Sequence, residues 1–286
     1  MSVDSAVTLD DGTRLGYTEV GAPDGAPVLF FHGTPGSRLD VTVGLEEDAH
    51  RLGLRLVAAD RPGCGESPFV GYRVRDCPRL MAGLLDALGI GEVAVVGFSG
   101  GGRYAAAIAA ELPGRVRRAA LVSSTAPSDL PGVRSTWSKE DRMVYGLAVR
   151  APWLLRAYLA KLSRDMRRDP RALLKLFSDL SAPDRAVLDR PGTPEALQRV
   201  VGEALRPGTR GVAHDFALEA RPWGVDLRGI RVPVDVWHGD DDSIVSPQQG
   251  RILAGAIPGA RLHPVPGEGH LSMRLDRAAD VLEPLA

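Results

Sequence analysis

Ser99 sits in Gly97-Phe98-Ser99-Gly100-Gly101, a G-x-S-x-G pentapeptide between two runs of different character. Before it, Val93-Ala94-Val95-Val96 is short, apolar and largely β-branched, the pattern of a buried strand. After it, residues 103–112 are rich in alanine and other strong helix formers. A serine on a tight strand-to-helix turn needs small neighbours, because its backbone must enter strained φ/ψ space with little room around it. The turn exposes the hydroxyl beside a helix N-terminus, whose free N–H groups favour developing negative charge. The chemistry such a serine performs is nucleophilic attack.

A hydroxyl is a weak nucleophile at neutral pH, so Ser99 requires a base, and the base an orienting partner. Of the six histidines, His270 is the expected base. It closes Pro266-Gly267-Glu268-Gly269-His270, a Gly-rich loop directly after the last strand pattern. The acid belongs to residues 237–245, where Asp240, Asp241 and Asp242 are adjacent. Repulsion prevents all three from being buried together. Asp240 and Asp241 fit a solvated turn; Asp242 is the expected acid, with its two neighbours as alternatives. Two N–H groups must receive the oxyanion. One is Gly100, the residue after the serine; the other is Thr34, in the loop His32-Gly33-Thr34-Pro35-Gly36-Ser37. Gly33 lets the backbone approach a substrate, and Phe98 is expected in the pocket wall. His32 and Arg61 are read as hydrogen-bonders that fix the surrounding loops.

These residues need a scaffold, and the hydrophobic pattern supplies one. Asp10-Asp11-Gly12 is a hairpin signal between two short strand patterns. Strand patterns then recur at 28–31, 55–60, 93–96, 119–122, 234–237 and 261–265. Helical ones recur near 38–51, 73–89, 101–112, 247–257 and 272–283. This alternation implies an α/β fold: a mostly parallel sheet with helices on both faces. Active sites in such sheets gather at the C-terminal strand ends, where all the residues above fall. The alternation breaks between about 126 and 231, a stretch that reads as helix after helix. Ser138 with Asp141, Asp169-Pro170, Ser181 with Asp184, and Thr193-Pro194 mark helix starts there. The expected organisation is a core of 1–125 and 231–286 with a helical cap, 126–230, inserted. Within the cap, Trp153, Leu154, Leu155, Tyr158 and Leu159 are expected mostly in its core, with one or two at the pocket. His214-Asp215 is read as a surface or packing pair, and His50 and His263 as structural. Ser246-Pro247-Gln248-Gln249 carries a capping-box pattern, so Ser246 is structural too.

Composition narrows the class. The 286 residues carry a formal net charge of −1, which leaves no electrostatic footprint for nucleic acid. No stretch of 18 apolar residues exists, and the start of the chain lacks a signal-peptide pattern, so no membrane partner and a cytoplasmic location are expected. Cys64 and Cys77 form no C-x-x-C and read as structural thiols. Nothing in this constellation calls for a metal or an organic cofactor. The partner it implies is a small-molecule substrate.

Taken together, the chain resembles the α/β-hydrolase family. His32-Gly33-Thr34-Pro35-Gly36 resembles that family's oxyanion loop, and Asp60-Arg61-Pro62-Gly63-Cys64-Gly65-Glu66-Ser67 its next strand-end motif. Gly97–Gly101 corresponds to the elbow, His238-Gly239-x-x-Asp242 to the acid loop, and Gly267-x-Gly269-His270 to the histidine loop. The fixed offset in the acid loop favours Asp242 over its neighbours. Thr34 and Gly100 depart from the His-Gly-Gly-Pro-Gly loop and elbow tryptophan of the proline iminopeptidase branch. Ser99 departs from the aspartate nucleophile of dehalogenases and epoxide hydrolases. The resemblance implies a serine hydrolase of a small or medium ester, thioester or lactone. Carbon–carbon bond hydrolysis, haloperoxidase-like perhydrolysis, and non-catalytic small-molecule binding on the same fold are the alternatives.

Overall fold

The computed structural model describes residues 3–176 and 180–286. Among them the strands form one eight-stranded sheet, ordered β1-β2-β4-β3-β5-β6-β7-β8. The strands are β1 (Val3–Thr8), β2 (Arg14–Gly21), β3 (Ala26–Phe31), β4 (Leu54–Ala59), β5 (Val93–Phe98), β6 (Val116–Val122), β7 (Val234–Gly239) and β8 (Arg261–Val265). The β1–β2 and β2–β4 pairs are antiparallel; every other pair is parallel. The first strand ends at Thr8, because the turn around the Asp10-Asp11-Gly12 hairpin signal takes up Leu9 to Thr13. Gly12 there adopts φ +81°, and the Asp11 carboxylate accepts the Thr13 N–H.

Continuous apolar strands arise where both faces are covered. In β3, Val28 and Phe30 face one buried cluster, while Leu29 and Phe31 face another. Helices α1 (Glu46–Arg51) and α11 (Ala278–Leu282) complete the first; α2 (Cys77–Ala87), α3 (Gly102–Glu111) and α9 (Pro247–Ala256) complete the second. The helix expected over 38–51 is divided: a 3-10 turn at Arg38–Thr42 precedes α1, with Gly44 at φ +76° between them. The last helical region also differs. α10 (His270–Asp276) begins at the histidine itself and stops before α11.

Between β6 and β7 the described residues form helices only: α4 (Lys139–Arg150), α5 (Pro152–Met166), α6 (Ala182–Leu188), α7 (Thr193–Ala204) and α8 (Arg210–Glu219), with 3-10 turns around them. They form a cap on the sheet core. The Ser138–Asp141 capping box closes α4 from both sides. Leu155 and Leu159 are buried in the cap, but Trp153 and Leu154 at the start of α5 are 67% and 41% exposed. Trp153 and Leu154 lie on the outward arc of α5, so the apolar run there does not mark a single core face. Among the described residues, no helix is long and apolar enough to cross a membrane. The two cysteines are buried and free.

The sheet order fixes where a ligand can bind. The chain leaves β3 toward β4 on one side and leaves β5 toward β6 on the other, so the connections diverge between these two neighbours. That divergence opens a crevice at the C-terminal strand ends, with Phe31 and Gly97 paired across it.

Candidate active site

Ser99 follows β5 at that crevice, with φ +53°, one of two non-glycine residues described with positive φ. The neighbouring glycines explain how it is held. A Cβ on Gly97 would lie 2.7 Å from the Gly101 carbonyl oxygen, and one on Gly101 would lie 2.1 Å from that of Phe31. Neither position accommodates a side chain, so the turn closes tightly enough to hold a serine in a sparsely populated conformation.

His270 and Asp242 meet under the cap. The Asp242 carboxylate is 2.8 Å from His270 Nδ1 and accepts the N–H groups of Ile244 and Val245. Asp240 and Asp241 are exposed, as repulsion requires, and only Asp242 is buried. A second imidazole, His238, approaches the same carboxylate at 3.3 Å while contacting the Val245 carbonyl at 2.9 Å. Sequence reasoning gave His238 no role, although it opens the acid-loop motif. Burial alone would raise the Asp242 pKa, but the His270 charge and bonds to both imidazoles hold it well below the usual carboxylate range. Burial would lower His270, but the Asp242 charge and hydrogen bond, with the more distant charge of Asp184, raise it above 6.5. Ser99 and His270 line one cavity without a direct hydrogen bond, a spacing common in unliganded sites.

Asp184 is the largest departure from expectation. Ser181 with Asp184 marks a helix start, and α6 does begin directly after Ser181, but the side-chain bonds of a capping box do not form. The Ser181 hydroxyl finds no partner among the described residues, and the fully buried Asp184 carboxylate reaches out of the cap. It accepts the N–H groups of His270, Leu271 and Ser272 at 3.0, 2.8 and 3.0 Å. These are orphan donors of the first turn of α10, where a negative charge is favoured. The approach is close: a Cβ on Gly269 would lie 2.3 Å from Ser181 Oγ and 2.5 Å from Asp184.

The loop after β3 is held from behind. Arg61, buried, donates to the His32 and Gly33 carbonyls at 2.6 and 2.8 Å and to Thr34 Oγ1 at 3.2 Å. Its charge is met by Asp215 of α8 at 2.6 Å. The Asp215 carboxylate also accepts bonds from Tyr72 and Tyr104, and its carboxyl stays at about 2 because Arg61 and Arg103 outweigh its burial. Of the surface and packing alternatives for His214-Asp215, the structure takes the packing one, with Asp215 buried. Asp215 is the centre of a buried network, while His214 contacts the Tyr72 carbonyl. His32 fixes its loop through the Gly33 carbonyl, and burial keeps it neutral. His263 stacks on Trp237, and His50 is exposed at the end of α1. Ser246 accepts the Gln248 N–H, whereas the Gln249 side chain turns to the Ala126 N–H.

Gly100 has a specific reason to be glycine. A Cβ there would lie 2.0 Å from Glu219 Oε1 and 2.6 Å from Thr34 Oγ1. Glu219 ends α8 and pairs with the fully buried Arg103 at 2.5 Å. The cap therefore occupies the space a larger residue after the serine would need.

Two chambers open beside Ser99. One is lined by Phe98, Gly33, His270, Leu188, Leu197 and Val201 among others, and is mainly apolar. The other adjoins Ser99, Thr34, Thr125, Asp141, Tyr145 and Glu219. Cap leucines and valines of α6 and α7 form much of the first wall. None of the apolar cluster 153–159 lines either chamber.

A family model described as alpha/beta hydrolase fold matches residues 26–274. The chain is 31% identical to a non-heme chloroperoxidase of Streptomyces lividans, with 87% of this chain and 88% of the relative covered. It is 30% identical to a bifunctional esterase/perhydrolase of Acinetobacter calcoaceticus, with 92% of each covered. Among solved structures, an alpha/beta hydrolase fold protein from Nakamurella multipartita is similar at a TM-score of 0.69 and 25% identity, covering 98% of this chain and 99% of that one.

Proposed function

Because this chain belongs to the alpha/beta hydrolase fold family, we propose that it is a serine hydrolase acting through an acyl-enzyme. The observation that carries the reading is the buried 2.8 Å contact of His270 Nδ1 with Asp242, on the wall of a cavity that Ser99 also lines. In this reading Ser99 Oγ attacks the carbonyl of a small or medium ester, thioester or lactone, and His270 Nε2 takes its proton. Asp242 fixes the imidazole tautomer and stabilises the imidazolium. The Thr34 and Gly100 N–H groups hold the oxyanion, each worth about 10²–10³ in rate at such sites. His270 returns the proton to the leaving oxygen. Water, activated by the same imidazole, then cleaves the acyl-Ser99 bond and releases the acid.

A fluorophosphonate probe with peptide mapping tests the reading. Ser99 should be the labelled residue, and His270→Ala should slow labelling by about 10² or more. Hydrolysis of 4-nitrophenyl butanoate that survives Ser99→Ala would end it. A second reading has a specific motive, the peroxidase and perhydrolase names of the two relatives. Hydrogen peroxide in place of water would release a peracid from the same acyl-enzyme. Peracid formed from acetate and peroxide, and lost in Ser99→Ala, would favour it.

A further inference from the structure

The two chambers beside Ser99 differ in chemistry. The apolar one is lined by His270; the other is not. His270 must hand its proton to the leaving oxygen, so the leaving group projects into the apolar chamber and the acyl group into the other.

The acyl chamber has an unusual polar wall. Among the described residues, its titratable lining consists of Glu140, Asp141, Glu219 and Tyr145, with no arginine, lysine or histidine. Tyr145 spends its hydroxyl hydrogen on Glu219 Oε2. Thr125, buried at 7% exposure, lines the same chamber, and its Oγ1 finds no partner among the described residues. Glu219 receives Arg103 on one oxygen and Tyr145 on the other, and a carboxylate has about four acceptor sites, so capacity remains. The Asp141 carboxylate accepts the Ser138 N–H, while the Asp141 N–H donates to Ser138 Oγ. Burial, reinforced by the charges of Glu219 and Glu140, pushes its carboxyl upward. The wall therefore offers acceptors and negative charge. The surrounding sequence makes this stand out: residues 126–230 hold eighteen Arg and Lys against thirteen Asp and Glu, a surplus of +5. That surplus is absent from the chamber.

We infer that the substrate's acyl group carries a protonated amine, bound through Glu219, Asp141 and Thr125, while an apolar alcohol leaves through the leucine-lined chamber. An ammonium group supplies both the positive charge and the N–H donors this wall lacks. The chamber touches Ser99 directly, so the amine sits only a few bonds from the scissile carbonyl: the class is short aminoacyl esters. This inference rests on the serine-hydrolase reading.

The test compares butyl 3-aminopropanoate with butyl butanoate, which differ by an ammonium in place of a terminal methyl, using acid release at pH 7. The kcat/KM ratio should favour the amine by about tenfold or more, the equivalent of one well-placed charge-assisted bond. Asp141→Asn, which keeps an acceptor for the Ser138 N–H, should lower that ratio at least fivefold. Thr125→Val, nearly isosteric, should lower it as well, so that a folding defect in one variant leaves the other decisive. A ratio at or below one in the unmodified protein overturns the inference. So does an amine preference that both variants leave intact, or failure to cleave either ester while Ser99 still reacts with fluorophosphonate. If Ser99 is unreactive and neither ester is cleaved, the serine-hydrolase reading falls first and takes this inference with it.

Discussion

At the scale of single residues, charge placement around His270 sets a pH dependence. In the serine-hydrolase reading proposed above, the imidazole has to be neutral to accept the Ser99 proton, and its pKa is raised above 6.5. We expect kcat/KM to rise with pH through a midpoint above 6.5, read from a pH–rate profile on a neutral ester. The stability sign runs the other way. The raised His270 pKa contributes stability that is fully present below 6.5 and is lost as pH rises through the folded pKa, whereas the lowered Asp242 pKa contributes stability that is present above 3.8 and is lost as pH falls through its folded value. Asp242→Asn should lower kcat by about 10⁴, by leaving the imidazole in the wrong tautomer. Gly100 gives a second prediction. Gly100→Ala should cost about 10² in kcat, because the methyl meets Glu219 Oε1, and Gly100→Ala with Glu219→Ala should recover part of it. Steady-state kinetics on these two variants distinguishes this from a general defect, which the second substitution would deepen.

At the scale of elements, the sheet was legible and the cap-to-core contacts were not. Strands β3 to β7 announce themselves as largely apolar runs because both faces are covered, whereas the edge strand β8 has no fully buried residue; the loops after β5, β7 and β8 carry the serine, aspartate and histidine in chain order. Repulsion among three adjacent carboxylates said that not all could be buried, and the fixed offset of the acid-loop motif pointed to Asp242 among them. Asp184 could not. Its spacing from Ser181 matches a local capping box, and nothing within a few residues reveals that the carboxylate serves another helix 86 to 88 positions away. Trp153 misled for a similar reason, since apolar content alone does not say which arc of a helix faces inward. The Asp184 contact predicts its own consequence. Asp184→Ala should destabilise the fold by about 2–4 kcal/mol, as three N–H groups lose a charged acceptor, measured by urea unfolding. Asp184→Asn keeps an acceptor but removes a charge that raises His270, so its ascending pH limb should move to lower pH.

For the whole molecule, the buried Arg61–Asp215 and Arg103–Glu219 pairs link α8 of the cap to the loops around Ser99. Removing one partner of a buried pair strands a charge and costs about 3–5 kcal/mol, whereas an apolar replacement of both can be nearly neutral. Asp215→Ala should fall in that range by denaturant midpoint. Arg61→Met with Asp215→Leu should regain much of the stability but not the activity, because the His32 and Gly33 carbonyls lose the guanidinium that holds them. Equal losses of stability and activity in the double variant would contradict this separation.

The Asp184 carboxylate also bears on how such a chain could be recombined. A cap exchanged for one with no carboxylate at this point would leave three donors of the core without an acceptor, and the histidine turn would be left frayed even if every core residue were retained. A transplant would have to bring its own carboxylate at that point. Alternatively, Gly269 could become serine, which the present cap forbids by contact but a smaller one would permit. For engineering, the unit of exchange is therefore the cap together with the turn it closes.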